Sequence, residues 1–351
     1  MRIGSCEVPL PIVCAPMAGG PTTSALVAGI AESGGLGMLA AGYLTAPALA
    51  DLVDDVERRT DLPYGVNIFL SSTEPPIDDV APLLEDYRTE LGDDARRLGV
   101  EPGDARYTDE EVDAKIGVLA TRRPALVSFT FGNPGADLVR RVHDEVGASV
   151  AVTVTSLDEA RAATATGADA LVAQGIEAGG HRGLWTDDPA QPAGGPCTPT
   201  AVLVRDITDA LGVPVIAAGG IADGAAIRAM TALGAAGAQL GTAFLCCDEA
   251  GTSAPYRRAL LERTYPDTVV TRAFSGRSAR SLRNGFTRSH PDAPAIYPHV
   301  HHLTRPLRAA AAAADDPDGI NLWAGTGWRA ITAGPVRDLM ARLASEFEDT
   351  V

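Results

Sequence analysis

Lysine is almost missing from this chain. Of its 29 basic residues all but Lys115 are arginine. A Schiff-base or pyridoxal mechanism would have to use that one side chain, and it lies between strand-like runs, not at the end of one. Positive charge is scarce as well. The 29 Lys+Arg stand against 45 Asp+Glu, a net charge of −16. A surface that negative repels phosphate backbones and anionic lipid, which sets nucleic acid and membrane aside as partners. Cysteine is sparse, and Cys6, Cys14, Cys197, Cys246 and Cys247 show no C-x-x-C spacing. That pattern fits reduced thiols in a cytoplasmic protein, not a disulfide frame or a zinc site. No apolar run reaches 18 residues, so none reads as a membrane-spanning helix. Pro9, Pro11 and Pro16 break the apolar N-terminal stretch, which does not read as a secretory signal.

What is present is a chain 46% hydrophobic and 21% charged, the composition of a globular protein with an ample core. Short apolar runs recur at 11–17, 36–42, 64–69, 125–132, 149–155, 170–175, 214–220 and 237–245. Each is followed by a Gly/Pro/Ser/Thr break and, for most, an Ala-rich helical stretch. Strands apolar on both faces suit a parallel sheet covered by helices. Eight such alternations within ~240 residues predict an α/β fold, a (β/α)8 TIM barrel, better than an open doubly wound sheet. No G-x-G-x-x-G follows the first strand, which counts against a Rossmann domain. Ser156 and Glu159 have the spacing of a capping box for a helix ending at Gly167. A polar insert at 71–122 follows the third strand and is expected near the barrel mouth. The expected division is a barrel over 1–265 and a C-terminal helical extension, 266–351, packed on it.

In a barrel the chemistry sits at the C-terminal ends of the strands. The last two runs end in glycine turns, AAGGIADG (217–224) and QLGTAF (239–244). Bare backbone N–H groups there can surround a phosphate. Without a P-loop, a phosphorylated cofactor or substrate fits better than a nucleotide triphosphate. The sixth run leads into QGIEAGGHRG (174–183), whose glycines hold up His181, suited to general acid–base work. Arg182 beside it can bind an anionic substrate, or is one more surface arginine. Asn67 and Gln174 are amides at strand ends, able to address a flat heteroaromatic ring or to satisfy the core. The histidines of PHVHH (298–302) read as helix-packing or surface residues, and no metal site is expected.

Together, PIVCAPMAGGPTTSALVAGIAESGGLGML (11–39), YGVNIFL (64–70), VSFTFGNP (127–134), QGIEAGGHRG, AAGGIADG and QLGT resemble the nitronate monooxygenases, in their bacterial-type class, from residue 8 to the LWAGTGW segment at 322–328. The resemblance implies FMN at the barrel mouth and oxidation of alkyl nitronates, such as propionate 3-nitronate, by O2 to carbonyl compounds and nitrite. It implies that Ala15, Pro16 and Met17 line the flavin and that Asn67 and Gln174 hydrogen-bond its ring or ribityl chain. Gly180 approaches it by backbone, and Gly219, Gly220, Gln239, Leu240, Gly241 and Thr242 hold the phosphate. His181 faces the substrate, with Phe131, Arg182 and Ser71 nearby; Ser71 stands where some members carry a longer amide. The segment 186–199 is long enough to form a flap over the site.

The AGGH loop is shared with flavin-dependent enoyl-acyl-carrier-protein reductases. An FMN- and NAD(P)H-dependent reductase of an enoyl thioester or quinone is therefore the alternative. A flavin-free barrel binding a phosphorylated metabolite is a third reading. Either a monomer or a homodimer is compatible with the sequence.

Overall fold

In a computed structural model of the chain, described for residues 1–71 and 74–349, eight parallel strands close into a barrel. They are β1 (Ile12–Cys14), β2 (Leu36–Ala40), β3 (Tyr64–Phe69), β4 (Leu126–Thr130), β5 (Ser149–Val154), β6 (Ala170–Gln174), β7 (Val215–Ala218) and β8 (Gly237–Leu240). Each falls inside one of the eight apolar runs, and the TIM-barrel expectation holds. Every residue of β3 and β5 is buried, as two-sided burial between helices and barrel interior requires. Closure comes from β8 on β1, with Ala238, Gln239 and Leu240 opposite Ile12, Val13 and Cys14.

Alternation along the strands divides the core in two. Val13, Met38, Leu126, Ala151, Val172 and Ile216 fill the inside with Ile3 and Val8 from the N-terminal segment. Ile12, Val66, Val127, Val150, Leu171 and Ala217 point outward to the helices. These include α1 (Ser24–Glu32), α2 (Ala46–Arg59), α5 (Val112–Leu119), α6 (Gly135–Arg141), α7 (Leu157–Ala165), α8 (Thr200–Ala210) and α9 (Gly224–Ala232). The capping box forms with a shift. Ser156 Oγ accepts from Glu159 N, while the Glu159 carboxylate reaches back one residue further, to the N–H and hydroxyl of Thr155.

The 71–122 insert carries α3 (Ile77–Glu90) and α4 (Gly92–Leu98) before α5. The segment after β8 carries α10 (Ala254–Leu261), antiparallel β9 (Thr268–Thr271) and β10 (Ala279–Leu282), α11 (Gly285–Ser289), α12 (His299–Ala313) and α13 (Val336–Glu348). Insert and tail share a second core, in which Val80, Leu84 and Tyr87 pack with Phe274, Phe286, Val300 and Leu303. His290 locks the two together, its ring nitrogens 2.6 Å from Glu90 and 2.8 Å from Asp94. Burial opposes a charge on this ring, but the two carboxylates outweigh it and raise its pKa. The last helix returns to the barrel. α13 packs on α1 and α9, with Val336, Leu339, Met340 and Leu343 in the outer core, and so takes the place of the eighth helix of the ring. No helix of the described residues is long and apolar enough to cross a membrane.

Candidate active site

A cavity opens at the C-terminal end of the barrel. Ala15, Pro16 and Met17 after β1, Asn67 of β3, Phe131 after β4 and Gln174 of β6 all line it. So do Gly180, His181, Gly219, Gly220, Gln239, Leu240, Gly241 and Thr242. Gly219 and Gly220 have φ of +116° and +73°, left-handed values that glycine adopts without strain. A Cβ on Gly219 would come within 2.9 Å of Ala178 N, so side chains are excluded from this corner. Gly241 is different. Its φ is −109°, and a Cβ would sit 3.3 Å from that of Ala15. Thr242 Oγ1 accepts a 3.0 Å hydrogen bond from Gly325 N, which ties the tail to the same corner.

Asn67 is buried, and its amide nitrogen donates to Ser128 O, Ser128 Oγ and Thr130 Oγ1 at 2.9–3.2 Å. Its Oδ1 has no partner among the described residues. An orphaned buried acceptor is costly unless a ligand donates to it. Gln174 follows the second of its two sequence readings, a polar group satisfied within the chain. Its Nε2 donates to His181 O and its Oε1 accepts from Gly183 N, so the amide braces the histidine loop. Glu177, the nearest carboxylate in that loop, accepts from both the N–H and hydroxyl of Thr200 and caps α8.

His181 sits in a two-residue strand, Gly180–His181, that pairs with Ala279 and Arg280 of β10. Its ring lies 5.4 Å from Trp323, 5.8 Å from Phe131 and 5.9 Å from Tyr297. Nε2 is 2.9 Å from Ser275 Oγ, a hydroxyl also within 3.2 Å of Arg277 O. A hydroxyl proton given to that carbonyl leaves Oγ to accept Nε2–H and puts the imidazole lone pair on Nδ1. Burial, then the positive charges of Arg277 and Arg308, push its pKa down to about 3. The ring is neutral at pH 7.

Arg182 and Ser71 stand outside the cavity wall. The Arg182 guanidinium is occupied by the carbonyls of Ala193, Gly195 and Pro196, and Arg272 holds Asp187 at 2.7 Å. These contacts anchor the segment 186–199 at Asp187 and at 193–196. Ser71 Oγ donates to Asp109 O, joining the start of the insert to the stretch just before α5.

Several cavity residues escaped the sequence reading: Tyr43, His301, Arg308, Asn321 and Trp323. His301 belongs to the first turn of α12, where the PHVHH histidines do serve helix packing, and it also stacks on Tyr43 at 3.9 Å. Arg308 lies on the same helix face, at the i, i+3, i+7 spacing set by His301, Thr304 and Arg308. That spacing was the available signal. Arg308 donates to Thr304 Oγ1, Asn321 Oδ1 and His301 O at 2.9–3.2 Å, all uncharged acceptors. Burial lowers its pKa to about 10, with Tyr43 opposing, so it stays cationic. Among the described residues no carboxylate pairs with it, and no group of His, Cys, Asp or Glu is arranged to hold a metal.

A closed parallel barrel with a cavity at its strand ends, glycine corners and two imidazoles, His181 and His301, in the wall has the form of a TIM-barrel enzyme site. The sequence profile of the family described as nitronate monooxygenase matches residues 6–346. The chain belongs to that family. It is 37% identical over 350 residues to a probable nitronate monooxygenase of Staphylococcus aureus, covering 97% of this chain and 95% of the relative. Among solved structures it is similar to nitroalkane oxidase from Streptomyces ansochromogenes, with 44% identity, TM-score 0.92 and 97% and 96% of the two chains covered. FabK from Thermotoga maritima is more distant, with 27% identity, TM-score 0.75 and 99% and 96% covered.

Proposed function

We propose that this protein is an FMN-dependent oxidase of nitroalkanes and their nitronates, converting them with O2 to carbonyl compounds and nitrite. The carrying observation is a neutral His181 in the same cavity wall as Arg308, a guanidinium that no carboxylate among the described residues pairs with. The residues present suit the cofactor. Bare backbone at Gly219, Gly220 and Gly241 would hold the phosphate, with Thr242 beside it. The unpartnered Asn67 Oδ1 would accept from the ring, and Met17 and Ala15 would line it. FMN, when bound, supplies the electron acceptor for the oxidation.

The remaining work falls to the chain. His181 Nδ1 accepts the α-proton of a neutral nitroalkane, leaving the nitronate anion and an imidazolium. With a preformed nitronate that transfer is unnecessary, and the ring only orients the substrate. Arg308 offers positive charge to the nitro oxygens, where negative charge accumulates as the proton leaves. The aromatic side chains around His181 keep water from its ring.

The test is anaerobic mixing of the FMN-loaded protein with nitroethane, propionate 3-nitronate or NADH. Bleaching of the flavin band by either nitro compound, with nitrite released once O2 is admitted, supports this reading. Bleaching by NADH alone refutes it and favours the reductase.

A further inference from the structure

The one lysine is fully buried and has no part in the chemistry above. From α5, Lys115 Nζ donates to Ala41 O at 3.0 Å and lies 3.2 Å from Glu110 Oε2. The same carboxylate oxygen accepts the backbone N–H of Tyr43 at 3.0 Å. Its other oxygen has no partner among the described residues. Glu111 accepts the N–H of Ala46 at 2.8 Å. Two successive glutamates at the end of the insert thus grip the loop between β2 and α2.

The grip coincides with a strained backbone. Tyr43, Glu110 and Glu111 have φ of 68°, 60° and 49°, a region that bulky L residues hold only when their surroundings over-determine it. In this conformation the Tyr43 ring stacks on His301, 3.9 Å apart and 7° from parallel. It meets Phe69 edge-on at 5.6 Å and lines the cavity. The ion pair is therefore applied to backbone atoms of one loop, and the central side chain of that loop is a wall of the site. Removing one partner of a buried ion pair leaves the other without its compensating contact, so loss of either partner releases the loop.

We propose that the Glu110–Lys115 pair is a positioning device for the substrate wall, holding Tyr43 in its left-handed conformation and so setting the Tyr43–His301 stack. Its kinetic consequence rests on the nitroalkane reading; the hold on the loop does not.

Two measurements on the FMN-loaded protein test it. Glu110→Gln is expected to speed amide hydrogen exchange across residues 41–46 by about tenfold or more, leaving β4–β6 unchanged. Unchanged exchange there overturns the proposal. The same substitution is expected to raise KM for nitroethane about tenfold with kcat within about twofold, and to add nothing further in a Tyr43→Ala background. A KM rise of equal size in both backgrounds overturns it too, because a merely structural role does not act through the ring. Should Glu110→Gln not fold, Glu110→Asp, one methylene shorter, is read in the same assays. If the wild type fails to oxidise nitroethane, the functional reading falls and the exchange measurement still decides the latch.

Discussion

At one end of the cavity, Gly219, Gly220 and Gly241 present bare backbone from the turns after β7 and β8. At the other, Tyr43, His301, Arg308 and Trp323 present side chains brought by a loop, a helix and the tail. The first end works by lacking atoms, and its geometry is set within a few residues by backbone dihedral angles. The second works by placing atoms, and three of these side chains depend on a partner outside their own element: Tyr43 on Glu110, His301 on Tyr43, Arg308 on Asn321. The two ends should therefore fail differently. Damage to the glycine end should release the cofactor. Damage to the side-chain end should leave the cofactor bound and impair handling of the substrate.

His181 gives the largest separation. His181→Asn is expected to lower turnover of nitroethane by about a hundredfold or more with flavin content unchanged, measured by steady-state rates and absorbance. Loss of flavin along with activity would merge the two ends. The wild-type pH profile sharpens the same point. His181 is a base only above its folded pKa, which burial and two arginines hold near 3. The acid limb of kcat/KM should thus lie far below the usual imidazole value of ~6.5. A limb near that ordinary value would break the assignment.

Next come the glycines. Gly219→Val adds a Cβ within 2.9 Å of backbone at φ +116°, strain of about 1–3 kcal/mol. Flavin retention should weaken by about tenfold or more, read as the flavin-to-protein ratio after dialysis. Gly241→Ala, with an ordinary φ and a 3.3 Å neighbour, should retain far more. Equal loss in both would show that dihedral strain is not what distinguishes these corners. The smallest effect is at the opposite wall. Arg308→Met should raise KM for nitronates about tenfold through loss of a charged contact, with flavin retention unchanged. An unaltered KM would remove Arg308 from substrate recognition.

The barrel was legible because a parallel strand covered on both faces leaves a continuous apolar run, and eight of them recur in order. His181 was legible because strand ends carry the site in this fold. Arg182, for which the sequence left a substrate role open, is turned from the cavity for a local reason: in an extended segment neighbouring side chains point to opposite faces. The loop that lifts His181 into the cavity therefore turns Arg182 to the carbonyls of 193–196. Gln174 lay where expected, but its amide was already engaged by the histidine loop. The second core had no local signature at all. Val80 and Leu84 meet Phe274 and Phe286 across most of the chain, and amphipathic patterning says that a face is buried without saying against what.

By itself, the chain's pattern of buried runs and glycine turns determined the barrel's eight strands and the places of its glycine corners, because those features follow from dihedral freedom and side-chain period within short windows. Only tertiary structure decided that insert and tail would share a second core, that α13 would complete the helical ring, and that Tyr43, His301 and Arg308 would converge beside His181. Those outcomes depend on which buried faces find one another, and that choice is made by shape and charge complementarity between segments distant in sequence.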